Sequence, residues 1–217
     1  MKTRLLSAAV LCAVLHFSAG AVSPGLNEAY SKETFTDSAG TVLPYRMLKP
    51  ENIKPGEKYP LVVFLHGAGE RGDDNESQLF HGASVFSNPV NMEQFPAFVI
   101  FPQCPAGSSW ARYDKKSSFS DNAVTAPESA NEKAVLSLVA KLVDEFPVDT
   151  CRLYITGLSM GAMGTFDIVC RHPDMFAAAV PICGAVNPTR LAAAKNVKFR
   201  IYHGANDDTV PTIWSRK

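Results

Sequence analysis

A single α/β domain built on a mainly parallel central sheet, with helices on both faces, is the fold class this sequence predicts. Three observations predict it. Apolar runs recur at Leu61-Val62-Val63-Phe64-Leu65, Phe98-Val99-Ile100-Phe101, Leu153-Tyr154-Ile155-Thr156, Ala177 to Ile182 and Phe199-Arg200-Ile201-Tyr202. Continuous runs of this kind suit strands covered on both faces. Between the second and third, Val135, Leu138, Val139, Leu142, Val143 and Phe146 fall at helical spacing, and such alternation of strand and helix makes a parallel sheet. Finally, 217 residues with 46% hydrophobic and 19% charged side chains fit one packed domain and not a disordered chain.

The elements follow in order. Lys2 and Arg4 precede an apolar stretch from Leu5 to Phe17, and the small residues Ser18-Ala19-Gly20-Ala21 come next. That is the layout of a cleavable secretory signal peptide, so residues 1–21 are expected to leave and residues 22–217 to be secreted or periplasmic. The stretch is shorter than the roughly 20 residues that cross a bilayer, and no membrane span is expected in the mature protein. Leu11 before Cys12 argues against a lipoprotein. Glu33 to Tyr45, with Asp37-Ser38-Ala39-Gly40 as its turn, reads as a β-hairpin. A polar loop follows from Pro50 to Lys58. The stretch from Glu70 to Asn91 is expected to be long and irregular, of the kind that often covers an active site. Ser129, with Glu132 three residues on, marks a helix start through a capping box, and Pro147 ends that helix.

Composition also excludes some functions. The formal net charge is zero and no Lys/Arg run exceeds two residues, which gives nucleic acid no electrostatic footprint. Cys104, Cys151, Cys170 and Cys183 lie in a chain bound for a compartment that permits disulfides. Their spacings match no metal site, and neither a disulfide, a metal nor a cofactor is predicted.

Three motifs carry chemistry. Gly157-Leu158-Ser159-Met160-Gly161 is Gly-x-Ser-x-Gly between a predicted strand and a predicted helix. A serine there sits on a sharp, strained turn with its hydroxyl exposed, and the flanking glycines make room for the turn. The Met160 amide, at a helix N-terminus, then points toward a developing oxyanion. His66-Gly67-Ala68-Gly69-Glu70-Arg71-Gly72 follows the first long strand, and its bend can bring the Ala68 amide to a second oxyanion position. His66 itself reads as a buried, structural histidine. His203-Gly204-Ala205-Asn206-Asp207-Asp208-Thr209-Val210-Pro211 closes the fifth strand, where a carboxylate can hold an imidazole in the right tautomer. By position alone, Asp207 and Asp208 both qualify.

In this order, His-Gly-x-Gly, Gly-x-Ser-x-Gly and His-Gly-x-x-Asp-x-x-Val-Pro resemble the phospholipase/carboxylesterase and polyhydroxybutyrate-depolymerase-like branch of the α/β hydrolases. Some members of this branch are labelled prolyl-oligopeptidase-type peptidases. Pro102-Gln103-Cys104-Pro105 with Trp110, and Phe176-Ala177-Ala178 running into Pro181-Ile182-Cys183-Gly184, are similar to its secreted members. The resemblance covers Leu43 to the C-terminus. It implies an α/β-hydrolase fold, Ser159 as nucleophile, Asp207 as the acid, and the amides of Ala68 and Met160 as the oxyanion hole. It implies a small-molecule or polysaccharide-linked ester as substrate. Ala162 departs from the glycine common at that position.

The family order places a histidine after the acid, on a loop beyond a further strand. Ten residues follow Asp207 here, without a histidine, and Thr212 to Lys217 looks like the start of a helix. The last strand and helix, about 30 residues, are expected to lie outside this sequence, and residues 22–217 alone are expected to be inactive and poorly soluble. Among the histidines present, only His81 sits in a segment able to swing over the site. A non-catalytic binding protein is the alternative, but it need not keep Ser159, Ala68 and Asp207 together. A serine peptidase is the other, with no gating domain in this sequence to support it.

Overall fold

The computed structural model describes residues 24–112 and 126–216, so the signal-peptide reading of residues 1–21 lies outside the described residues. A short helix, α1 (Pro24–Ala29), leads into β1 (Ser31–Thr36) and β2 (Val42–Leu48), which pair antiparallel. The predicted hairpin turn forms, with Asp37 Oδ1 accepting from the amides of Ala39 at 2.9 Å and Thr41 at 2.8 Å.

The remaining strands are β3 (Tyr59–Leu65), β4 (Phe98–Pro102), β5 (Val148–Leu158), β6 (Ala178–Ile182) and β7 (Lys198–Phe199). The seven line up as β1-β2-β4-β3-β5-β6-β7. From β4 to β7 the sheet is parallel, and β2 joins β4 antiparallel. Between β3 and β4 the chain forms two helical turns, α2 (Ala83–Phe86) and α3 (Pro89–Gln94); α4 (Ala130–Glu145) and α5 (Met160–Arg171) flank β5.

Alternation along the strands divides the core. Leu61, Val63, Leu65, Ile100, Leu153, Ile155 and Ala179 pack with Val135, Leu138 and Leu142 of α4 and Ile168 and Val169 of α5. Both long helices therefore cover one face. The opposite face of β2, β3 and β4 presents Leu48, Phe64, Val99 and Phe101 to Tyr30, Leu79, Ala83 and Phe86. Helices do cover both faces, but the second carries only short ones.

Three expectations change in detail. The excursion after β3 is organised rather than irregular. Gln103 ties it down, donating to the Glu70 carbonyl at 3.1 Å and to Asp74 Oδ1 at 2.8 Å while accepting from the Asn75 amide at 2.7 Å. The fifth predicted strand shrinks to Lys198–Phe199 with an isolated bridge between Ile182 and Tyr202. Backbone bonds from Arg200 to Ala179 and from Tyr202 to Pro181 hold it from one side only, and Ile201 and Tyr202 stay exposed at its outer edge. One-sided pairing leaves such an edge irregular. The helix expected near Thr212 is a single 3-10 turn, Thr212–Trp214.

The α4 start has the predicted capping box: Ser129 Oγ accepts from the Glu132 amide at 3.0 Å, and the Ser129 amide donates to Glu132 Oε2 at 3.2 Å. Burial pushes the Glu132 carboxyl up to about 9, and the neighbouring Asp167 adds to the shift. Asp167 is itself ion-paired to Arg171 at 2.9 Å and to Arg190. A carboxyl with a raised folded-state pKa contributes stability that is complete below the unfolded value near 4.5 and is lost as pH climbs toward about 9. Across that window the wild-type melting temperature is expected to fall more steeply than that of Glu132→Gln, which carries no titrating proton. Parallel curves from thermal unfolding at stepped pH would count against a buried protonated Glu132.

Candidate active site

Ser159 stands between the last residue of β5 and the first of α5, with φ 51° and ψ −115°. A non-glycine residue at positive φ is strained and persists only where its surroundings hold it. Here the Ser159 amide donates to the Ile182 carbonyl at 2.9 Å, and the Ser159 carbonyl accepts from Met163 at 3.1 Å. The glycines of the motif have a measurable reason. A Cβ at Gly157 would lie 2.5 Å from the Gly161 backbone, and one at Gly161 would strike the Leu65 and His66 carbonyls. The elbow packs α5 directly onto the end of β3, and no side chain fits between them.

Ser159 is half-buried, and among the described residues its Oγ makes no hydrogen bond. The hydroxyl is therefore free for chemistry. Met160 opens α5, and Ala68 opens a 3-10 turn, Ala68–Glu70. Neither amide is used outside its own helical turn among the described residues. Gly67 holds the second loop beside the first, since a Cβ there would meet Leu158 Cδ1 at 2.8 Å. Arg71 braces the loop from outside, donating to the Ala68 carbonyl at 2.8 Å and to Ser108 at 3.1 Å.

His66 is fully buried and spoken for. Its Nε2 accepts from the Cys104 amide at 2.9 Å, which leaves the proton on Nδ1, 2.6 Å from the Gly67 carbonyl. Burial depresses its pKa to about 4, so the ring is neutral at ordinary pH. Trp110 packs edge-on against it and donates to the His66 carbonyl at 3.0 Å. The structural reading of His66 agrees with these bonds.

Asp207 and Asp208 differ in environment. Asp207 Oδ1 accepts from the amides of Val210 at 2.9 Å and Thr209 at 3.0 Å, and Oδ2 lies 3.3 Å from His203 Nε2. The Val210 amide first, then the Thr209 amide and the His203 ring, hold its carboxyl below the usual range, against the opposing effect of desolvation. Asp208 is exposed. His203 Nε2 also donates to the Val210 carbonyl at 2.7 Å, and its Nδ1 meets Ser215 Oγ at 2.8 Å. That role for His203 is not visible in the motif.

Backbone bonds bring the acid loop toward the elbow. Ser159 bonds to Ile182, and the next residue, Cys183, donates to Tyr202 at 2.8 Å, one position before His203. Buried Val210 packs against Met163 of α5. Cys183, at φ 45°, places its thiol against the Ser159 backbone; burial pushes that thiol's pKa up, and the Asp207 charge adds to the effect. The sequence offered no signal for this placement. His81 lies 3.7 Å from Glu70, and His172 bonds Glu128 at 2.8 Å. Two apolar crevices lie away from Ser159, one of about 320 Å3 at the end of β2 and the start of β4 and one of about 640 Å3 beside the start of β3 and Arg152 and Tyr154 of β5.

The chain is similar to known proteins. The family model described as "Putative esterase" matches residues 37–217. Poly(3-hydroxyalkanoate) depolymerase C of Paucimonas lemoignei is 28% identical over 155 residues, covering 71% of this chain and 34% of that protein. Probable acetylxylan esterase A of Neosartorya fischeri is 26% identical over 150 residues, covering 69% of this chain and 36% of that protein. The chain thus spans about a third of the length of these two relatives. Among solved structures, a thermostable esterase is 40% identical with a TM-score of 0.80, covering 87% of this chain and 50% of that one.

Proposed function

The chain belongs to the esterase family and has the α/β-hydrolase fold, and from that premise we propose that it hydrolyses carboxylic esters through an acyl-enzyme on Ser159. The observation that carries this reading is the strained Ser159 turn at the head of α5, with a hydroxyl that makes no bond among the described residues. A general base takes the Ser159 proton as Oγ adds to the ester carbonyl, and the oxyanion is received by the amides of Met160 and Ala68. The alcohol departs with that proton, and water then releases the acid by the same steps in reverse. Asp207 orients the base and stabilises its charged form.

His66 and His203 are held by backbone and neighbouring side chains, and His172 is bonded to Glu128. The proposed base is a histidine other than these three. Residues 1–21 are proposed to direct export. The substrate class is an ester on a saccharide, the reading that the similarity to an acetylxylan esterase favours. The full-length protein is expected to hydrolyse p-nitrophenyl acetate and to release acetate from acetylated xylan. Failure to turn over either ester would overturn the esterase reading.

A further inference from the structure

The oxyanion loop contains a carboxylate that the proposed mechanism does not use. Glu70 ends the 3-10 turn that Ala68 begins, and its side chain folds back against Gly67, with Oε2 3.1 Å from where a Cβ on Gly67 would stand. The same point is 2.8 Å from Leu158 Cδ1, so the carboxylate lies beside the residue that precedes Ser159. The side chain is only 13% exposed, and among the described residues Oε2 is buried without a hydrogen-bond partner. An orphaned buried acceptor is costly and calls for an explanation.

The other oxygen faces His81. The Nε2–Oε1 separation is 3.7 Å, too long for a direct hydrogen bond, and the His81 ring is half exposed. Phe80 stands beside it, edge to face at 4.7 Å, with its own ring 44% exposed. Beside the oxyanion loop, then, are a carboxylate whose Oε1 faces an imidazole just out of its reach, and an open aromatic face. A hydroxyl suits this pair, because it can donate to Glu70 Oε1 and accept from the His81 Nε2–H at once. Successive hydroxyls beside an apolar C–H face belong to saccharides, whereas the interior of an aliphatic polyester has none to offer.

We propose that Glu70 and His81 form a subsite for a free hydroxyl on the saccharide part of the ester, with Phe80 packing against the sugar ring. The inference rests on the esterase reading and names which ester that site prefers. Glu70 is thus a specificity-determining residue that touches the saccharide part of the substrate through Oε1.

The test compares two esters on the full-length protein: acetylated xylobiose, which carries hydroxyls beside the acetyl group, and p-nitrophenyl acetate, which carries none. The readout is the ratio of their kcat/KM values. Glu70→Gln keeps the shape and removes the charge, and a hydrogen bond to a charged group typically governs about tenfold to hundredfold in binding. The ratio is expected to fall at least tenfold in Glu70→Gln, mainly through KM for the sugar ester, with a loss in the same direction in His81→Phe. A smaller change in the Glu70→Gln ratio, or an equal loss on both esters, would overturn the subsite, the latter pointing instead to support of the oxyanion loop. Wild-type protein active on p-nitrophenyl acetate but unable to use the sugar ester would overturn the subsite and leave the hydrolase assignment standing. Wild-type protein inactive on both would overturn that assignment and the subsite with it.

Discussion

Ser159→Ala in the full-length protein is expected to lower turnover of short esters by about six orders of magnitude, the loss found when the nucleophile of a serine hydrolase is removed. Its size follows from the site. The elbow places one hydroxyl at the head of α5, where it makes no bond among the described residues, and no second hydroxyl occupies that turn. A fluorophosphonate probe should label Ser159 alone in the wild type and nothing in the variant. Alanine suits the experiment because it keeps a Cβ at the strained φ of 51°, so the fold should survive and circular dichroism should not change. Labelling that persists in a folded Ser159→Ala protein would move the nucleophile elsewhere.

Asp207→Asn is expected to cost about four orders of magnitude in kcat, because an amide in place of the carboxylate holds the imidazole in the wrong tautomer. The structure sharpens the comparison with its neighbour. Asp207 receives two backbone amides on Oδ1 and has His203 beside Oδ2, an arrangement that fixes the direction of the carboxylate. Asp208 is exposed, and Asp208→Asn should stay within a few-fold of wild type. Steady-state rates on p-nitrophenyl acetate for both variants decide between them. A larger loss at Asp208 would reverse the assignment.

Much of the frame was legible from residue order alone, because it depends on local pattern. Leu61 to Leu65 and Phe98 to Phe101 are strands since an unbroken apolar run of that length suits a strand with both faces covered. Ser129 and Glu132 cap α4 through bonds spanning three residues. Gly157, Ser159 and Gly161 announce the elbow because a turn that tight tolerates no side chain at the flanking positions. The rest was decided by contacts distant in sequence. The unpaired β7 edge depends on what lies beside it, which the apolar run at Phe199 to Tyr202 does not state. Gln103 holds the excursion from about 30 residues away, so a stretch that reads as irregular is ordered. His66 is neutral because Cys104 and Trp110, nearly 40 or more positions later, close over it. Asp207 and Asp208 are adjacent carboxylates, and their different surroundings come from the folding of Thr209 and Val210 back onto Asp207. The same holds for Glu70: its place in the motif is plain in the sequence, but an unpaired buried oxygen beside Leu158 exists only after the loop closes on the elbow. Local periodicity sets which elements form, whereas burial and hydrogen-bond pairing, which settle each side chain's chemistry, are properties of the closed tertiary structure.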